Sequence, residues 1–243
     1  MVFTYDGYRN LIEIIKENNY TISLYDNWEF SPRCVVLRHD VDNDLEKAVA
    51  LAQLEESVGV KSTFFILVSS DFYNVFSAKS CGLIRRIQDC GHAIGLHFDE
   101  ERYPNISTAT DAISVIQKEA DRLSEVIDKP VSVVSMHRPS KMMLESDLEI
   151  PGIINSYSQL FFKSFKYVSD SRRRWREPVE AIIASGKYDR LHILTHAIWY
   201  NDEEIDLHDS VCRFVNGGNM ERYLAEQDNI KDLQSIMEIS EVK

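Results

Sequence analysis

Two carboxylates spaced two residues apart, Asp40 and Asp42, follow the short apolar run Cys34 to Leu37 in the segment Leu37-Arg38-His39-Asp40-Val41-Asp42. In an extended chain the side chains at i and i+2 point to the same side, so a buried strand ending here would deliver both acids to one place. One carboxylate could then bind a cation while the other stays free as a base, which is what metal-assisted hydrolysis requires. The segment could also be a strand end followed by a helix N-cap, because Asn43 or Asp44 opens a helical pattern. A cap needs one such residue, whereas this stretch holds three acids and an asparagine.

The surrounding periodicity shows what would hold these residues. Tyr8, Leu11, Ile12 and Ile15 recur at helical spacing, and a second helix is expected from about Leu45 to Ser57 with Leu45, Ala48, Val49 and Ala52 on one face. Strands are expected at Cys34 to Leu37, Ser62 to Val68, Ala93 to Leu96, Val131 to Met136, Tyr167 to Val168 and Leu191 to Thr195. Helices are expected around Leu83 to Gln88, from about Ala109 to Ile127, and after Pro178. Asn216-Gly217-Gly218-Asn219 reads as a flexible break before a C-terminal helix. Repeated strand–helix units whose strands are apolar on both faces imply an α/β fold with a parallel sheet covered by helices, open or closed into a barrel.

Five of these strands run into a residue that can bind metal or move a proton: Asp40 with Asp42, His97, His137, Asp170 and His196. In parallel α/β folds the carboxyl ends of the strands share one face, and that face carries the chemistry. A lone histidine is more often a hydrogen-bonded structural residue than a ligand. The shared position is what singles these out.

At 243 residues the chain suits one α/β barrel or one large α/β domain, and 1–243 reads as a single domain. Its 27 Lys and Arg against 39 Asp and Glu give a net charge of −12, which opposes binding to a phosphate backbone and argues against nucleic acid as a partner. The start, Met1-Val2-Phe3-Thr4-Tyr5-Asp6, lacks a basic region followed by an apolar one, and no stretch has the length of a membrane span, so a cytoplasmic location is expected. Cys34, Cys81, Cys90 and Cys212 show no Cys-x-x-Cys spacing and read as reduced thiols. Neither a Gly-x-Ser-x-Gly elbow nor a Gly-x-Gly-x-x-Gly or P-loop pattern occurs, which disfavours a serine hydrolase or a nucleotide fold.

Together these segments resemble the polysaccharide deacetylase family, the NodB-homology group or carbohydrate esterase family 4, in an Asp-x-Asp variant. The resemblance implies a distorted (β/α)7-type barrel, parallel strands covered by helices, and a divalent metal ion, usually zinc, used to hydrolyse an acetamido group on a sugar. His39-Asp40-Val41-Asp42 is similar to the first motif, which implies Asp40 as general base and Asp42 as metal ligand. Gly91-His92-Ala93-Ile94-Gly95-Leu96-His97 resembles the second and implies His97 as a ligand; Glu101 stands where a further histidine would follow. Met136-His137-Arg138-Pro139 corresponds to the third. There His137 is suited to be the remaining ligand, with Glu101 as the alternative, and Arg138 could hold the base carboxylate or a substrate anion. Asp170-Ser171-Arg172-Arg173-Arg174-Trp175 resembles the fourth motif, implying that Asp170 orients the catalytic histidine and Trp175 walls the pocket. Leu194-Thr195-His196 resembles the fifth and implies His196 as general acid.

The activity so implied is metal-dependent removal of an acyl group, acetyl in the first instance, from a small-molecule amino sugar. Without an export signal the expected substrate is a soluble nucleotide-linked or lipid-linked precursor, in the setting of surface polysaccharide or O-antigen assembly. The arginine run at Arg172 to Arg174 could meet a phosphate or carboxylate on it. The rival expectation is a non-catalytic saccharide-binding or scaffold protein on the same fold, because fold does not guarantee activity.

Overall fold

Among the described residues, eight short segments form strands: β1 (Thr21–Ser23), β2 (Cys34–Val41), β3 (Thr63–Leu67), β4 (Ala93–Asp99), β5 (Val133–His137), β6 (Ile154–Asn155), β7 (Lys166–Ser169) and β8 (Arg190–Thr195). The structure, a computed structural model, describes residues 1–242. Its strands pair in the order β6-β5-β4-β3-β2-β8-β7, with β1 beside the first half of β2. All pairings between these strands are parallel. Parallel neighbours need crossover connections, and the helices α2 (Leu45–Ser57), α3 (Ala78–Asp89), α4 (Ala109–Ile127), α5 (Lys141–Glu145) and α6 (Val179–Ala184) lie between strands in the chain, while α1 (Tyr5–Glu17) precedes them. The sheet curls into a half-barrel with helices around it, a distorted (β/α)7-type barrel.

Local sequence starts the helices that flank the site. The Thr4 hydroxyl accepts the Gly7 N–H at 3.0 Å to cap α1, whose Tyr8, Leu11, Ile12 and Ile15 are buried. Each such side chain contributes about 1.5–3 kcal/mol by leaving water. Asp44 caps α2, accepting from the N–H groups of Glu46 and Lys47 at 2.9 and 3.0 Å. The cap is therefore Asp44, and the carboxylates of Asp40 and Asp42 are not spent on it.

Along β2 the side chains alternate between two cores. Cys34 and Val36 join Tyr25, Trp28, Phe65, Val133, Phe161 and Phe165 inside the curl, while Val35, Leu37 and Val41 pack outward under the helices. Arg38 continues the inner row, its guanidinium 5.5 Å from the Phe65 ring, and His39 the outer row, its ring 4.4 Å from that of Phe64. A glycine is required at position 95: a Cβ there would lie 2.5 Å from Cε1 of Phe65, so any side chain would expel that ring from the inner core.

Two expectations are corrected. The strand read as Cys34 to Leu37 runs on to Val41, because the polar residues that extend it are paired inside the protein rather than solvated. The break expected at Asn216-Gly217-Gly218-Asn219 lies within a continuous helix, α7 (Leu207–Asn229). Glycine weakens a helix by roughly 1 kcal/mol relative to alanine but forbids nothing, and α7 has its own cap at Asp206.

The chain divides into two compact units, Met1–Asp202 and a second from Glu203 onward. The first holds every strand and every candidate residue named above. In the second, the Tyr223 hydroxyl donates to the carbonyl of Met237 at 2.9 Å. Among the described residues no helix is long and apolar enough to cross a membrane.

Candidate active site

The carboxyl ends of five strands bring the candidate residues together. Asp40 lies in the last turn of the pleat of β2, and Asp42 follows the strand directly. His97 is within β4, His137 ends β5, and Asp170 and His196 follow β7 and β8. In register, His97 sits opposite Leu67 and His137 opposite Asp99.

Asp42, His97 and His137 each offer one ligand atom to a common point, all within 4.8 Å of one another. Nε2 of His97 is 3.2 Å from Oδ1 of Asp42 and 3.2 Å from Nδ1 of His137, and His137 Nδ1 is 3.5 Å from the same Asp42 oxygen. Donors bound at zinc distances around a tetrahedral ion lie roughly 3.3 Å apart, so the spacing fits a single cation. The chemistry fits too, since two imidazoles and a carboxylate suit zinc and similar divalent metals. Asp42 Oδ1 is buried without a hydrogen-bond partner, an atom that a cation would satisfy. Burial raises the Asp42 pKa, but the approach of His137 and His97 outweighs it and holds the carboxyl well below its usual range. Glu101, the alternative ligand, is exposed on the turn Glu100–Arg102 and stands outside the group. A second group of potential ligands, Asp206, His208 and Asp209, is exposed at the start of α7, where Asp206 already serves as the cap.

Asp40 flanks this centre. Its Oδ2 accepts from Nη2 of Arg38 at 3.0 Å and lies 3.8 Å from His97 Nε2. Its Oδ1 is buried and unpartnered, and is thus the lone pair left to take a proton. Arg38 is fully buried, donates from Nη1 to the Ser156 hydroxyl at 2.9 Å, and rests 5.0 Å from the Tyr157 ring. Arg138, the residue expected from its motif to hold the base or an anion, is exposed with φ +49°. The guanidinium at Asp40 belongs to Arg38. The sequence carried a signal for this: the i, i+2 rule that joins Asp40 to Asp42 also joins Arg38 to Asp40.

His196 flanks the centre on the other side. Its Nδ1 hydrogen-bonds Oδ1 of Asp170 at 2.7 Å, and its Nε2 faces the cluster, 4.0 Å from Oδ2 of Asp42. Asp170 is fully buried, and its Oδ2 also accepts the His196 N–H at 3.2 Å and the Tyr200 hydroxyl at 3.0 Å. Burial lowers the His196 pKa, but the hydrogen bond and charge of Asp170, with the charges of Asp42 and Asp40, lift it to about 9. An imidazolium so held can donate a proton from Nε2. Trp175 is partly buried against the outer core, its indole N–H buried without an acceptor.

Behind the base and acid lies a buried polar group not expected from the sequence. Glu55 of α2 is fully buried and accepts from the hydroxyls of Tyr8 and Ser62, each at 2.5 Å, while His39 Nε2 lies 3.1 Å away. Nδ1 of His39 hydrogen-bonds Thr195 at 2.6 Å. His39 and Thr195 immediately precede Asp40 and His196, so this contact ties the two strands at the level of the site.

Fold and site together give a curled parallel α/β sheet in which Asp42, His97 and His137, a group that could hold a metal ion, lie between the Asp40 carboxylate and the His196 imidazole. No family model matches the sequence, and no curated protein matches it. Among solved structures, the chain is similar to a chitin deacetylase from Colletotrichum lindemuthianum, with 13% identity, TM-score 0.48, and coverage of 83% of this chain and 87% of that one. It is also similar to a CE4 domain of a multidomain xylanase from the hindgut metagenome of Trinervitermes trinervoides, with 14% identity, TM-score 0.45, and coverage of 81% and 85%. A CE4 family pseudoenzyme from Bacillus anthracis is similar at 15% identity and TM-score 0.45, with coverage of 77% of this chain and 62% of that one.

Proposed function

We propose that this protein is a metal-dependent amide hydrolase that removes an acyl group, acetyl in the first instance, from an N-acylated amino sugar. The observation that carries the reading is the convergence of Asp42, His97 and His137 on one point between the free oxygen of Asp40 and the Nε2 of His196. These three residues would hold a divalent ion, zinc by its donor set. When bound, such an ion polarises a carbonyl and lowers the pKa of water to about 7. Asp40, oriented by Arg38, takes the proton of the attacking water on Oδ1. His196, kept cationic by Asp170, delivers a proton from Nε2 to the departing amine nitrogen. Asp170 thus holds the acid in its cationic form, and Arg38 fixes the orientation of the base carboxylate.

The substrate proposed is a nucleotide-linked or lipid-linked saccharide precursor of a surface polysaccharide such as an O-antigen, deacylated in the cytoplasm. The four cysteines are free thiols, the state that a reducing compartment maintains. Metal analysis of the purified protein, followed by assay of acetate release from N-acetylated sugars with and without chelator, tests the proposal. Zinc at one equivalent, and release that stops on chelation and returns with zinc, is the expected result. His137→Ala should lose the ion and Glu101→Gln should keep it. A protein that binds these sugars without metal or turnover would instead be a saccharide-binding or scaffold protein.

A further inference from the structure

Among the described residues, seven non-glycine residues have positive φ: Asn19, Asp128, Asp147 and Asp232 are of types that tolerate it, and Arg138, Arg172 and Arg173 are not. The left-handed region costs a side chain such as arginine about 1–2 kcal/mol. Arg138 also precedes Pro139, which disfavours helical backbone at the residue before it. All three strained arginines stand at strand ends that carry candidate site residues. Arg138 directly follows His137, and the Arg172–Arg173 turn begins two residues after Asp170, pinned there by the Arg174 N–H to Asp170 carbonyl bond at 3.1 Å. Strain of this kind concentrates where the backbone must aim a functional group.

The placement of these arginines in the sheet gives them a direction of use. Site residues come from β5, β4, β2, β8 and β7, and the arginines follow the two outermost of these strands, β5 and β7. Cationic loops therefore bracket the centre from both sides, in a chain of net charge −12. Because Arg38 already holds Asp40, Arg138 is not needed to orient the base. Arg138, Arg172 and Arg174 are exposed, and among the described residues none of the three is in an ion pair. Guanidinium groups recognise phosphate and carboxylate oxygens by paired N–H donors.

We propose that Arg138, Arg172 and Arg174 form an anion-recognising rim, and that the saccharide bound here carries a phosphoryl or carboxylate group beside the acylated ring. The inference rests on the hydrolase reading above and assigns to named residues the recognition of the anionic group on its substrate.

Calorimetric titration of the metal-loaded protein with N-acetylglucosamine, N-acetylglucosamine 1-phosphate and an N-acetylated hexosaminuronic acid tests it. At least one anionic probe should bind about tenfold tighter than the neutral sugar, the gain expected of a charge-assisted hydrogen bond. That advantage should shrink as salt is added. The phosphate and uronate arms tell which anion is meant. Arg172→Ala with Arg174→Ala, and separately Arg138→Gly, should each remove most of the advantage, whereas lysine at the same positions should keep part of it. The glycine variant removes the charge while relaxing the positive φ, so folding is preserved. Equal affinity for all three probes, no binding by either anionic probe at millimolar concentration, or an advantage that survives both variants would overturn the rim. Acetate release is followed in parallel. Turnover with no anion preference leaves the hydrolase standing without the rim, and anion preference without metal or turnover leaves the rim without the hydrolase.

Discussion

Arg38 and Asp40, two residues apart on β2, meet at 3.0 Å inside the curl of the sheet, the first fully buried and the second nearly so. Burying either charge alone is unfavourable, and each makes the other tolerable. Arg38→Met should therefore destabilise the protein by about 3–5 kcal/mol, the usual cost of orphaning a buried charge. The double change Arg38→Met with Asp40→Leu should be less destabilising than the sum of the two single changes. Chemical denaturation of the four proteins measures the coupling. Additive losses would mean that the contact contributes nothing.

Asp40 and Asp42 should separate in function. Asp40→Asn should retain the metal and lower kcat by roughly 10²–10⁴, the usual contribution of a general base. Asp42→Asn should lose metal and turnover together. Metal content measured beside kcat decides between these roles, and equal metal loss in both variants would overturn the division.

His196 makes the alkaline side of the activity profile informative. Turnover needs its imidazolium, so kcat/KM should fall as pH rises through about 9, or somewhat lower once a bound cation repels the proton. Asp170→Asn removes the chief stabiliser of that charge and should move the limb down toward the ordinary histidine value near about 6.5. Stability follows the same sign. The folded pKa lies above the unfolded one, so the contribution is complete below about 6.5 and is lost as pH rises through about 9. Melting temperatures of the ion-free protein between roughly pH 6 and pH 10 should show this loss, and Asp170→Asn should flatten it.

Glu55 predicts an effect on the acid side. Burial raises its pKa, but His39, His92 and the Ser62 hydroxyl outweigh this and lower it below the usual glutamate value. A depressed carboxylate contributes stability above its unfolded pKa that disappears as pH falls through its folded one. Glu55→Ala should remove that dependence and also strand the donors Tyr8 and Ser62, at about 1–3 kcal/mol for each group left buried and unpaired. Denaturation at neutral and acidic pH reads both effects. A Glu55→Ala protein with unchanged acid sensitivity would show that another group carries it.

Much of this was legible in one dimension because it depends on short-range geometry. Apolar runs bounded by turns give the order of strands and helices, and a strand's period of two places Asp40 and Asp42 on one side. The strand-end positions of His97, His137, Asp170 and His196 follow from the same runs, since parallel strands present their carboxyl ends on one face. Which strands lie side by side is not a local property. Arg38 reaches Ser156 across 118 residues, Tyr8 reaches Glu55 across 47, and His39 reaches Thr195 across 156. Only the tertiary structure could choose Arg38 over Arg138 for the base and set His137 beside His97 while leaving Glu101 exposed. A charged side chain settles where a partner repays its loss of water, and the partner is brought there by packing of the whole sheet.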